Sequence, residues 1–182
     1  MKRKFLYALT VAAFLATSVI TIPTSQAADK GYKYWGYFQA APGKSKWSYA
    51  TTGPTTNVAD GSVEGWAFTF SGDSVPNAAI PRVKASFVYL CGKTKAVAGK
   101  KRIGVVIDFG SAFLKPQGEK LPPMIKTCVS ISPDAIGADV LAAAVKIRAT
   151  ASGMICGING YPAKDCGTEI DTPKALLPKK SV

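Results

Sequence analysis

Four cysteines, eleven acids and no histidine define the chemistry open to this 182-residue chain. Without an imidazole there is no Ser-His-Asp or Cys-His relay. A Ser-Lys pair has its residue types, but neither SxxK nor GxSxG occurs. The phosphate-cradling GxxxxGK pattern is absent too. Two-carboxylate glycoside chemistry needs paired acids in one cleft. Asp60 and Glu64 are the nearest promising pair, and Asp108 closes an apolar run. A zinc site would need all four thiolates, at irregular spacing and with no CxxC pair. No catalytic residue, metal or cofactor is therefore expected, and the chain reads as a non-enzyme.

Rings are the better functional candidates. Tyr32, Tyr34, Trp35, Tyr37, Phe38, Trp47, Tyr49, Trp66, Phe68 and Phe70 crowd one segment, which holds all three tryptophans. Tyrosine and tryptophan join flat apolar area to a polar handle, which suits stacking on rings, corrins or sugars. Two readings stand side by side: these rings are core, or some form a ligand or partner surface. For the second, the candidates are Tyr34, Trp35, Tyr37, Trp47 and Trp66, with Glu64 supplying a charge beside Trp66. The turn-forming stretch Asp60-Gly61-Ser62-Val63-Glu64-Gly65 leads into that strand.

The elements that must position these residues follow from pattern. Tyr32–Gln39 and Lys46–Thr51 read as strands joined by a Pro-Gly hairpin turn. Trp66, Phe68 and Phe70 alternate with Ala67 and Thr69, giving a third strand with an aromatic face. Ser71–Pro81 reads as a loop, and the spacing of Val83, Phe87, Leu90 and Cys91 favours a short helix. Ile103–Phe109 is a nearly unbroken apolar run, as in a central strand buried on both faces. Thr127–Ile131 is a further strand. Ser132-Pro133-Asp134 offers a hydroxyl cap, a first-turn proline and an acid at the positive end of a helix dipole, so a helix is expected from there to about Ile147. Gly153–Tyr161 suggests a last strand. The polar, proline-punctuated stretch from Thr168 to Val182 reads as a disordered tail. The fold class expected is α+β: a mainly antiparallel sheet with one principal helix packed on it, and two disulfides.

Met1–Lys4 is basic, Phe5–Ile22 is apolar, and Pro23 precedes the small residues Ser25 and Ala27. That is the layout of a secretory signal peptide over residues 1–27. Residues 28–167 then form a single secreted domain with no membrane span after cleavage. Three of the 23 Lys and Arg fall in 1–27, so the remainder carries 20 basic against 11 acidic residues, a net charge of +9. Such a surface attracts acidic polymers and anionic headgroups. Nucleic acid is not expected as a partner, because the basic residues are scattered and the chain is exported. An even cysteine count in an exported chain reads as two disulfides. Sequence alone allows three pairings of Cys91, Cys128, Cys156 and Cys166. The turn-forming pairs Asn159-Gly160 and Tyr161-Pro162 favour Cys156 with Cys166, which leaves Cys91 with Cys128.

GYKYWGYF at Gly31–Phe38, KWSYATTGP at Lys46–Pro54, DGSVEGWAF at Asp60–Phe68, GKKRIGVVIDFG at Gly99–Gly110 and ICGINGYPAKDCG at Ile155–Gly167 resemble an actinobacterial family of secreted proteins of unassigned function. Its members are often encoded near components of energy-coupling-factor vitamin transporters. The resemblance spans most of the exported chain and carries over no catalytic residue. It implies an accessory binding protein of the cell envelope that assists uptake of a small, vitamin-like nutrient. Its partner would be an aromatic or corrin-like ligand, or a transporter component. The other expectation is a protein-interaction module docking on another envelope protein.

Overall fold

The computed structural model describes residues 29–177. The signal-peptide reading of residues 1–27 lies outside the described residues. Strand β1 (Lys30–Ala40) pairs antiparallel with β3 (Val63–Gly72), and β3 pairs in parallel with β4 (Lys101–Asp108). Strand β5 (Ile125–Ile131) runs antiparallel to β4. The outer edge of β1 is shared: β2 (Ser48–Tyr49) pairs with Phe38 and Gln39, and β8 (Thr168–Asp171) pairs with Lys30–Lys33. The sheet is thus mainly antiparallel, with one parallel pair, one main helix and two disulfides.

Strand alternation divides the side chains between two faces. On one face Trp35, Tyr37, Trp66, Phe68, Ile103, Val105 and Ile107 form the larger core. It is covered by helix α2 (Gly137–Ala144) and by a hairpin of β6 (Ile147–Ala149) and β7 (Ile155–Ile158). On the other face Ala40, Val63 and Val106 meet Val83, Ala85, Phe87 and Leu90 from the β3–β4 crossover. That crossover carries the short helix α1 (Phe87–Cys91), capped by Ser86, whose Oγ accepts from the Tyr89 N–H at 3.2 Å. A parallel pair requires a long crossover, and here the crossover doubles as the lid of the second core.

The disulfides join Cys91 to Cys128 and Cys156 to Cys166. The first pins α1 to β5. The second closes the turn after β7, where Arg148 Nη2 also donates to the carbonyls of Pro162 (2.9 Å) and Asp165 (2.8 Å).

Three expectations need correction. The principal helix starts at Gly137, not Ser132, and ends at Ala144, short of Ile147. The carbonyls of Pro133 and Ala135 are turned onto the ammonium of Lys101, at 3.0 and 2.7 Å, which holds this stretch outside the helix. Asp139 instead caps the helix by accepting from the Ile136 N–H at 3.0 Å. Ile147 leaves the helix to pair with Ile158. The stretch from Thr168 is not a free tail: β8 pairs with the first four residues of β1, and Thr172 N–H donates to the Asp29 carbonyl at 2.7 Å. The strand expected over Lys46–Thr51 shrinks to Ser48–Tyr49.

Candidate functional site

Strands β1 and β3 place Tyr37 opposite Trp66 and Gln39 opposite Glu64. All four project into the larger core side of the sheet, because residues two apart on a strand share a face. Tyr37 and Trp66 stack, with ring centroids 4.5 Å apart and planes 23° from parallel. The Tyr37 hydroxyl donates to Glu64 Oε1. Gln39 Nε2 donates to Tyr37 Oη at 2.7 Å and to Glu64 Oε1 at 3.0 Å. Glu64 is 0% exposed, and its second oxygen, Oε2, has no hydrogen-bond partner among the described residues. Buried polar atoms without partners are uncommon and each calls for a reason.

Gly137, the first residue of α2, sits over this cluster. A Cβ there would lie 2.5 Å from Tyr37 Oη and 3.1 Å from Glu64 Oε2. The helix can seat on the cluster only because that position lacks a side chain. Burial pushes the Glu64 carboxyl above its ordinary value; the bonds from Tyr37 and Gln39 and the charge of Lys101 offset part of this. Burial, then the Glu64 charge, raises the Tyr37 hydroxyl well beyond the usual phenol range. Lys101 is itself buried and donates to Asn57 Oδ1 at 3.1 Å as well as to the two carbonyls before α2.

A cleft of about 320 Å³ opens beside this cluster, lined by Gln39, Ser48, Thr56, Asn57, Ser62 and Glu64 among others. That is room for a molecule displacing about ten waters. Its walls offer hydroxyls and amides, and Glu64 is the one acid among them.

The ring residues expected to form one surface do not. Trp35, Tyr37 and Trp66 are core, and Trp35 packs against Phe68 and Phe109. Trp47 and Tyr34 lie on the opposite side of the sheet from Glu64. Trp47 is half-buried, its indole laid across Gly65 and its N–H donating to the Val83 carbonyl at 2.7 Å. Trp47, Lys46, Ile80, Pro81, Val83 and Lys84 border a shallow groove of about 640 Å³ there. Tyr34 Oη accepts from Ser71 Oγ at 3.2 Å.

The three acids weighed for catalysis stand apart. Asp60 is exposed at a turn and accepts from the Arg102 N–H at 2.6 Å. Asp108, buried on the α1 side, accepts from Arg82 Nε, Nη2 and backbone N–H and from the Gly110 N–H. Burial alone would raise its carboxyl, but these bonds outweigh that and hold it below the usual value. Among the described residues no group of three or more His, Cys, Asp or Glu is placed to hold a metal ion.

Gln39, Asn57, Lys101 and Gly137 were not singled out from sequence. Gln39 carried a signal: it lies two residues from Tyr37 on the same strand face. Lys101 carried one as well, since it shares strand parity with Ile103 and Val105 and must point inward with them.

These observations define a class: a disulfide-stapled α+β domain with a buried carboxyl, Glu64, beside a polar cleft. The chain belongs to the SCO2322-like domain family, whose model matches residues 27–171. No curated protein and no solved structure matches it.

Proposed function

We propose that this is a secreted, non-enzymatic binding protein of an actinobacterial cell envelope that holds a small polar nutrient for a vitamin-type transporter. One observation carries the reading. Glu64 is wholly buried, has an oxygen without a partner among the described residues, and lies on the wall of a cleft lined by hydroxyls and amides. Such a group costs stability unless something repays it, and a ligand's hydrogen bond would do so. Export is supported by the basic-then-apolar start of the sequence. Two disulfides are compatible with an extracellular protein. A single acid in the cleft suits recognition better than paired-carboxylate hydrolysis. The size of the cleft favours a compact hydrogen-bonding ligand over one as broad as a corrin.

Fluorescence provides the test. Trp66 stacks on Tyr37, which is bonded to Glu64, so occupancy at Glu64 should change Trp66 emission. The exported chain is titrated with a panel of vitamins and small polar nutrients. A saturable change is expected with at least one compound, and it should vanish in Glu64→Gln. A flat response across the panel would refute the reading.

A further inference from the structure

We propose that the α1 crossover is a membrane-docking face that seats on anionic lipid headgroups. This surface lies on the other side of the sheet from Glu64 and does not depend on the reading given for that cleft.

Charge is the first observation. Between Asp73 and Asp108 the sequence contains no acid, yet it carries Arg82, Lys84, Lys93, Lys95, Lys100, Lys101 and Arg102. Lys101 is buried on the Glu64 side and Arg82 is ion-paired with Asp108; Lys84, Lys93, Lys95 and Lys100 are exposed. Exposed Lys126 of β5 joins them, its Nζ 5.6 Å from the centre of the Tyr89 ring and 3.4 Å from Tyr89 Oη.

Apolar exposure is the second. Val88 is 78% exposed and Tyr89 69%, both at the tip of α1, and Val97 is exposed in the turn that follows. A short helix with its outermost positions apolar and its surroundings cationic has the composition of a membrane-interface segment. Aliphatic and aromatic tips enter the headgroup–acyl boundary while the lysines stay among phosphates. A protein partner of ordinary composition would not require this stretch to exclude every acid.

Rigidity is the third. The Cys91–Cys128 bridge fastens the C-terminal end of α1 to the sheet. Arg102 lies with its guanidinium carbon 5.5 Å from the centre of the Phe87 ring and donates to the Thr94 carbonyl at 2.7 Å. The tip is therefore held in place before it meets a surface, which lowers the ordering cost of binding.

The test is co-sedimentation of the exported chain with vesicles of phosphatidylglycerol mixed with phosphatidylcholine, and with vesicles of phosphatidylcholine alone. Binding is expected to the anionic vesicles only, and it should be lost near about 0.5 M salt, where exposed charges are screened. Charge reversal by Lys93→Glu with Lys95→Glu should weaken binding at least about thirtyfold, given the usual contribution of each surface lysine. Val88→Asp with Tyr89→Asp should abolish it. Should that pair fail to fold by circular dichroism, Val88→Ser alone should still weaken binding. Glu64→Gln should bind vesicles like the parent, which separates this face from the ligand cleft. Three results would overturn the proposal: equal binding to phosphatidylcholine alone, undiminished binding by the folded Val88 variants, or capture by soluble poly-glutamate with none by vesicles.

Discussion

Removing the two disulfides one at a time tests what each contributes, within one protein. The bridges close loops of 37 and 10 residues. Restriction of the unfolded chain scales with the logarithm of loop length, giving about 3.8 kcal/mol for the longer loop and about 2.7 kcal/mol for the shorter at 25 °C. The variants are Cys91→Ala with Cys128→Ala, and Cys156→Ala with Cys166→Ala. Cys91 and Cys156 are buried, so each truncation also leaves a small void that adds to the loss. Equilibrium urea unfolding is the assay. With a slope of about 2 kcal/mol per molar, the midpoint should fall by about 2 M for the long loop and about 1.3 M for the short one. In thermal melts these correspond to drops of about 8–15 °C and about 5–11 °C. A larger loss from the short loop, or a loss under about 1 kcal/mol from the long one, would refute the loop-length reasoning. The long-loop variant should also show faster amide exchange in α1, because a five-residue helix has little stability of its own.

Glu64 and Asp108 should give opposite pH responses. The Glu64 carboxyl is raised above its ordinary value near 4.5, so the fold holds that proton more tightly than the unfolded chain does. Its contribution is complete below that value and is lost as pH rises through the raised one; Glu64→Gln should flatten the decline in urea midpoints above pH 4.5. Asp108 is lowered, so its contribution is present above the ordinary carboxylate value and is lost as pH falls; Asp108→Asn should cost about 2–3 kcal/mol at pH 7 and much less near pH 2. Gly137→Ala should destabilise by about 1–3 kcal/mol, because the new methyl meets the Tyr37 hydroxyl, and near-ultraviolet circular dichroism should report disturbance of the Tyr37–Trp66 stack. Gly65→Ala should lift the Trp47 indole, whose nearest ring carbon lies 2.7 Å from the new Cβ, and shift its emission to the red.

Alternation made the central strands legible. Trp66, Phe68 and Phe70 fall on one face as their period of two requires, and Ile103–Phe109 is buried on both sides because helices cover both faces of the sheet. The disulfide pairing favoured by turn chemistry is the one present. Ser132-Pro133-Asp134 satisfies every local rule for a cap, yet the helix starts at Gly137. What overrides it is distant in sequence: Lys101, buried from β4, donates to the carbonyls of Pro133 and Ala135 and turns that stretch toward itself. Strand β8 was invisible for a related reason. Its exposure alternates without a strong apolar face, and it is ordered by the free edge of β1 rather than by its own composition. The ring cluster was ambiguous because periodicity tells which side chains share a face but not how thickly that face is covered.

Strand β8 lies antiparallel to the start of β1, with Lys30 opposite Asp171, so the two ends of the described chain leave the sheet at the same corner. A load drawn between them would not shear the pair along its length. It would part Asp29 from Thr172 first and then run inward from Lys30 and Asp171, one rung at a time, over only four facing residues. Tension of that kind meets little resistance. Held at both ends, the domain would shed its outermost strand as a short slack segment and keep the cross-linked body of the sheet intact behind it.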